Sequence, residues 1–198
     1  MMITAPTTTF EQPPAGMHVA RCYRLIDLGT QTTHFNGEPK RARKLLVSFE
    51  LLGEDRMDDG RPFTVSRRFT ASLADKAALR GFLESWRGRR FAPEEIAEGF
   101  DLGSLLDKFA MLNLVESERE GRTYINIASA SPMPKGMPAP EGENPAQMFD
   151  LSAPDWDLFA ELSDRLQEQI MTAPEYQAAR PAGSAAPTDT ADDDGPAF

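Results

Sequence analysis

Lys40–Thr70, KRARKLLVSFELLGEDRMDDGRPFTVSRRFT, is the stretch whose reading decides the fold. Leu45, Val47, Phe49 and Leu51 alternate with Lys44, Leu46, Ser48 and Glu50, the period-two pattern of a strand with one buried face. Phe63–Thr70 is a second run, rich in aromatic and β-branched residues. Asp59-Gly60 between the runs is a turn signal, because glycine takes positive φ without strain. Together they predict a β-hairpin. Its outer ends carry Lys40, Arg41, Arg43 and Lys44 on one strand and Arg67, Arg68 and Phe69 on the other. Antiparallel pairing would set those ends side by side, so that six cations and one ring share an edge of a small sheet, a seat for a nucleic-acid backbone and its bases.

Outward from the hairpin, Met17–Leu28 predicts a first strand, with Val19, Arg21, Tyr23 and Leu25 on one face and Ala20, Cys22, Arg24 and Ile26 on the other. Gly29–Pro39 reads as a polar loop holding the tight-turn dipeptide Asn36-Gly37 and a lone aromatic, Phe35, which either stacks on a base or folds back onto the domain. After the hairpin, Ser72 is an N-cap candidate with Asp75 three residues on. Leu79, Phe82, Leu83 and Trp86 then repeat at helical spacing. Trp86 is either core or a stacking platform. Arg87, Arg89 and Arg90, around Gly88, are either phosphate contacts or the solvated cationic end of a helix. Pro93–Gly99 predicts a short helix. Lys108–Glu116 and Thr123–Ala130 predict the last two strands, joined by a charged loop over Ser117–Arg122. With Ile125 and Ile127 in the core, Tyr124 faces outward beside Arg122 as a stacking residue.

The expected class is therefore mainly β: a five-stranded barrel over residues 17–135 with a helix between the third and fourth strands. That is the order of an oligonucleotide-binding barrel, which takes its ligand across strands two and three and in the loops joining strands one to two and four to five. Residues 1–16 read as a flexible lead and 136–153 as a Pro- and Gly-rich linker. An amphipathic helix is expected over 154–172, with a stripe of Leu158, Phe159, Leu162, Leu166 and Ile170 and an ion pair between Glu161 and Arg165. Residues 173–198 read as a disordered acidic tail. The helix stripe is to be covered by the chain itself, by a second copy as a homodimer or by a bound partner.

The whole chain holds 21 Lys+Arg against 31 Asp+Glu, net −10. Residues 1–135 carry +1 and residues 136–198 carry −11, so the body is free to carry basic patches. With Cys22 as the one cysteine, a disulfide within the chain and a cysteine-based zinc site are excluded. His18 and His34 stand near no nucleophile or metal-ligand motif, and Asp55, Asp58 and Asp59 fit calcium-loop spacing poorly. No catalytic residue, metal or cofactor is expected. Neither a signal peptide nor an apolar stretch of membrane-spanning length is present, which predicts a cytoplasmic protein.

The barrel-like body, the linker and the tip DDDGPAF resemble phage-encoded single-stranded-DNA-binding proteins. The tip also looks like that of bacterial single-strand-binding proteins, with Gly195 in place of an apolar residue and Ala197 interposed before Phe198. RCYRLIDLGTQT, ESWRGR and YINIASASPMPKG are similar to stretches of a phage replication-region family. The resemblance implies a non-enzymatic protein that coats single-stranded DNA in phage replication or recombination. It also implies recruitment of replication proteins through Asp192, Asp193, Asp194, Pro196 and Phe198. Two other classes compete: an enzyme such as a nuclease, and a protein-binding module acting in host takeover or anti-defence.

Overall fold

The computed structural model of the chain describes residues 11–35 and 37–180. The tail residues Asp192, Asp193, Asp194, Pro196 and Phe198 lie outside them, as does the side chain of Phe35. The fold is mainly β. Five antiparallel strands, β1 (Gly16–Phe35), β2 (Glu38–Leu51), β3 (Thr64–Thr70), β4 (Phe109–Arg119) and β5 (Arg122–Ser131), pair in the spatial order β3-β2-β1-β4-β5. The helix α1 (Ala78–Arg87) and the short α2 (Pro93–Glu98) lie between β3 and β4 in the chain. The sheet is not closed by a ladder. Its two edge strands are joined by a side chain instead: Arg67 on β3 donates to the carbonyls of Ile127 (3.0 Å) and Ala128 (3.1 Å) on β5.

The inner face of the sheet is a core of Ala20, Cys22, Leu25, Leu45, Val47, Phe49, Val65 and Phe69, with Leu112, Leu114 and Ile127 from β4 and β5. Leu79, Phe82, Leu83 and Trp86 of α1 pack onto it. Phe49, Phe82 and Trp86 meet edge to face, with centroids 5.2 to 6.3 Å apart, the arrangement favoured by the ring quadrupole. The helix begins at Ala78 rather than after Ser72. Ser72 Oγ accepts from the Ala74 amide, and Asp75 pairs with Arg80 instead of capping. Cys22 is fully buried and burial pushes its thiol pKa up to about 12, which makes it a core residue and not a nucleophile.

Two β-bulges bend β1, between Cys22 and Arg24 and between Asp27 and Gly29. Each exchanges the two faces of the strand. Ala20 and Cys22 face the core, and after the bulge so does Leu25. The predicted grouping of Leu25 with Val19, Arg21 and Tyr23 is thereby overturned. Gly29–Pro39 is not a loop. The β1–β2 ladder runs on to Phe35↔Glu38, and Gly37 stands in the turn at φ 81°. Because β3 ends at Thr70 opposite Lys44, this outer part of the hairpin is a two-stranded arm. Likewise β4 and β5 continue to Arg119↔Arg122 around Glu120 (φ 54°) and Gly121 (φ 70°), the backbone signature of a tight primed turn.

The expected linker is folded. Gln147–Phe149 forms β6, parallel to β1 at Arg24–Ile26. The expected single helix over 154–172 is two, α3 (Trp156–Glu161) and α4 (Asp164–Met171), and a third, α5 (Pro174–Ala179), forms where the disordered tail is expected to begin. The break at Leu162 and Ser163 separates Glu161 from Arg165, and the i,i+4 pair does not form. The apolar stripe is covered by the chain itself. Phe149, Leu151, Phe159, Leu162, Ile170, Ala173 and Tyr176 close over Ile26, Leu28 and Leu46 on the outer face of β1 and β2. So β2 is buried on both faces from Leu45 to Leu51.

Two contacts fix this C-terminal layer. At the arm, Thr30 donates its amide (2.9 Å) and hydroxyl (2.5 Å) to Glu175. Beside it Gly29, at φ 67°, leaves no room for a Cβ, which would overlap that of Ala173 and lie 2.9 Å from Leu151. Gly29→Ala is expected to lower stability by about 1–3 kcal/mol through backbone strain and overpacking, read as a shift in urea midpoint. At the far end, Glu50 is fully buried. It accepts from Arg21 Nε (2.5 Å), from the amides of Glu143 (3.2 Å) and Asn144 (2.9 Å), and from Asn144 Nδ2 (2.6 Å). Arg21 also pairs with Asp107 and reaches the Asn144 carbonyl. A strand-borne ion pair thus holds residues 142–144 as a strap.

Candidate nucleic-acid interface

Side chains alternate along each strand, so the ladder registers say which cations share a face. Lys40 and Lys44 lie on one side of the arm with Leu46 and Arg68, which are register partners on β2 and β3. Arg41 and Arg43 lie on the other side, and Arg67 partners Val47 on the inner face. The six cations therefore do not share one edge. Lys40, Arg41 and Arg68 are exposed and have no carboxylate partner among the described residues; Lys44 is half-buried and donates to Thr70 Oγ1 at 2.7 Å. On β3, Thr64, Ser66, Arg68 and Thr70 form an exposed outer stripe of hydroxyls around one guanidinium.

Several predicted contacts have other work. Phe69 is 3 % exposed and packs on Phe82 at 4.9 Å; it is core and does not stack on bases. Trp86 is 5 % exposed and donates Nε1 to the Phe109 carbonyl at 2.8 Å, which makes it core as well. Arg67 lies over the rings of Phe69 and Phe82 at 5.0 and 5.4 Å while reaching β5, so it holds the open edge of the sheet. Arg87 stacks on Phe91 at 4.2 Å and pairs with Glu95 at 2.5 Å. Arg89 pairs with the same carboxylate at 2.8 Å. The Arg89 guanidinium, the Ala92 amide and Arg87 together hold the Glu95 carboxyl down at about 2. Of that cluster only Arg90 is exposed without an acidic partner among the described residues. Arg43 pairs with Asp27 at 2.5 Å, and Asp150 lies 3.7 Å away. Its pKa is raised by the hydrogen bond to Asp27 against the opposing effect of burial.

No family model matches the chain, and the curated proteins contain no significant match to it. The geometry of its own side chains therefore carries the functional argument.

The β4–β5 arm segregates charge. Arg119 and Arg122, Ser117 and Tyr124, and Val115 and Asn126 are register pairs on one face, with Glu116 and Glu118 on the other. Tyr124 is 42 % exposed on this face. Ile127 is buried and Ile125 packs against the core, so Tyr124 does point outward. Arg119 lies beyond the strand expected over Lys108–Glu116, in the span expected as a charged loop. The signal for it was the Glu120-Gly121 pair, which allows a two-residue turn and carries the alternation through Arg119. The arrangement offers an aromatic platform between neutral hydrogen-bonding side chains, with the Arg122 guanidinium at the tip beside Arg119, which lies 3.7 Å from Glu120; such a surface suits a base and its phosphate.

The acidic loop before β3 does not gather into a cation site. Asp59 accepts from the Arg61 amide at 3.0 Å and from its guanidinium at 2.8 Å, and Gly60 follows at φ 85°. It is a turn.

Proposed function

We propose that the chain is a sequence-independent single-stranded-DNA-binding protein of the oligonucleotide-binding-barrel type, serving DNA replication or recombination. Five antiparallel strands in the order β3-β2-β1-β4-β5, with a helix between β3 and β4, support the barrel assignment, since such barrels are partly open. The observation that carries the functional reading is the distribution of unpaired charge. Arg21, Arg43, Arg56, Arg61, Arg80, Arg87, Arg89 and Arg119 are matched by carboxylates. Lys40, Arg41, Arg68, Lys76, Arg90, Lys108, Arg122, Lys135 and Arg165 are exposed and lack an acidic partner among the described residues. Four of these, Lys40, Arg41, Arg68 and Arg122, lie on the two arms and on the outer face of β3. Unmatched cations along strands, with an exposed ring nearby, bind phosphates without reading bases.

Tyr124 supplies the stacking. Tyr124→Ala is expected to weaken binding to a mixed-sequence single strand by about 1–3 kcal/mol with no change in its salt dependence, as measured by anisotropy titration at several salt concentrations. The tip DDDGPAF is assigned the recruitment of replication proteins, its terminal ring and carboxylate suiting an apolar pocket rimmed by Lys and Arg. Among the described residues no helix is long and apolar enough to cross a membrane.

A further inference from the structure

Side chains on the outer face of the sheet fall into cross-strand rows set by the ladder registers. One row reads Gln147 on β6, Arg24 on β1, Ser48 on β2 and Ser66 on β3. It crosses the face between two covered rows. On one side Arg21 and Glu50 hold the strap; on the other Ile26 and Leu46 lie under the C-terminal layer. Every side chain of the row carries a hydrogen-bond donor and none is acidic. The nearest carboxylate along β2, Glu50, is fully buried and engaged by Arg21 and the strap. Arg24 is half-buried, with its guanidinium over the Tyr23 ring at 5.4 Å. Its Nε has no hydrogen-bond partner, and no carboxylate pairs with it among the described residues. Ser66 is exposed and donates to the fully buried Ser48 at 2.9 Å. Arg68, exposed and also without an acidic partner among the described residues, stands two residues along the same face of β3.

The geometry points to this row as the seat of one phosphate of the bound strand, held between Arg24 and Arg68 beside the Ser66 hydroxyl. The inference rests on the single-strand reading and adds a cation from β1 to the path along β3. Neighbouring strands lie about 4.8 Å apart, so the α-carbons of Arg24 and Ser66 are about 10 Å apart, a gap that one arginine side chain and one phosphate fill. Arg68 approaches the same point from about 7 Å along β3. Two guanidinium groups suit a phosphodiester, whose two free oxygens accept one charge-assisted bond from each. Reversal of the Ser66–Ser48 pair, which rotating hydroxyls allow, frees Ser66 to donate to the same group. The contrast with Arg21, one row away, is direct. Arg21 is neutralised by Glu50 and Asp107 and belongs to the fold, whereas Arg24 keeps its charge and its donors for a ligand. A contact of this kind positions the strand and reads no base.

Arg24→Met keeps an unbranched stem beside Tyr23 and removes the charge. In the full chain it is expected to bind a mixed-sequence single strand about five- to tenfold more weakly at 0.05 M salt, with the slope of log affinity against log salt reduced by about 0.7, one phosphate contact. Arg24→Lys keeps the charge and is expected to keep the slope. In the native protein, phenylglyoxal labelling read by peptide mass spectrometry is expected to slow at Arg24 and Arg68 when the strand saturates the protein. Arg61, paired with Asp59 in the turn before β3, is expected to label as before. This second readout needs no variant and decides the matter should Arg24→Met not fold. An unchanged salt slope in folded Arg24→Met, or labelling of Arg24 that the strand does not slow, overturns the site and leaves the single-strand reading standing. A lowered thermal midpoint with the slope intact assigns Arg24 to packing on Tyr23 and overturns the site alone. Failure of the native protein to bind the strand overturns the single-strand reading and the site with it.

Discussion

Glu50→Ala is expected to lower the unfolding free energy by about 3–5 kcal/mol, because removing one partner of a buried ion pair strands the other. Glu50 is fully buried on the outer face of β2 and is the acceptor for Arg21, two backbone amides and the Asn144 side chain. Its loss leaves Arg21 with Asp107 and the Asn144 carbonyl, and leaves the strap amides without an acceptor. At roughly 2–4 °C per kcal/mol for a chain of this size, the thermal midpoint falls by about 10 °C. Glu50→Gln, which keeps the volume and one acceptor oxygen, should lose less. The strap should also become the first site of proteolytic cleavage in Glu50→Ala, near 141–146.

The same carboxylate gives a pH dependence. Burial alone would raise its pKa, but the hydrogen bonds from Asn144, Arg21 and Glu143 outweigh it, and the pKa lies below the ordinary value of 4.5. A carboxylate depressed in the folded state stabilises fully above its unfolded pKa and loses that contribution as pH falls through the folded one. The stability difference between wild type and Glu50→Ala, measured by urea unfolding, is therefore expected to hold above about pH 5 and to shrink in more acidic solution.

The second large effect is on binding. Lys40→Gln, Arg41→Gln and Lys44→Gln together should reduce the slope of log affinity against log salt by about 2, from roughly 0.7 per single-strand phosphate contact. The loss at 0.05 M salt is then roughly two to three orders of magnitude. Lys40 and Arg41 lie on the arm beyond the end of β3, Lys44 lies at that end and donates to Thr70 Oγ1, and none contributes to either core, so the thermal midpoint should stay within a few degrees of wild type. Arg87→Gln and Arg89→Gln should behave in the opposite way. They remove the partners of Glu95 and cost stability, while the salt slope stays where it was.

What the sequence made legible follows from where alternation is strict. β2 and β4 alternate over core positions, and their inward sets, Leu45 to Leu51 and Ala110 to Leu114, are buried; on β2 the outward Leu46, Ser48 and Glu50 are buried as well, and on β5 a bulge between Ile127 and Ser129 breaks the alternation, so that Ala130 joins Ile127 in the core. The stripe of α1 was legible for the same reason, with its period of 3.6. β1 was not, because two bulges shift the pattern by one residue each, and nothing in a period-two count marks the position of a bulge. In the arm, TQTTH over Thr30–His34 reads as loop by polarity. Its threonines are β-branched and suit a two-stranded ribbon exposed on both sides, so composition outvoted propensity there. Phe69 shares parity with Val65 and could have been placed inward on that count. Its proximity to Arg67 and Arg68 drew it outward.

The C-terminal layer was the larger omission. Pro138 to Pro145 has the composition of a linker, and its order comes from a partner far away in sequence, the buried Glu50. No local pattern records that. Glu50 itself looked like an ordinary outward residue of an alternating strand. The folded layer also relocates the charge: Glu141, Glu143, Asp150, Asp155, Asp157, Glu161, Asp164, Glu168 and Glu175 all belong to the described residues. The acidity is therefore shared between a structured surface and the tail. Like charges on that surface repel a phosphate backbone, which confines any strand path to the arms and β3.

The most direct measurement is a fluorescence-anisotropy titration of a labelled mixed-sequence single strand at low and at physiological salt, with unlabelled duplex as competitor. Single-stranded-DNA binding requires saturable, sequence-tolerant affinity that falls steeply with salt and survives excess duplex. Absence of binding at low salt, in the full chain and with residues 184–198 removed, would contradict it and leave the cationic arms as surfaces for a protein partner.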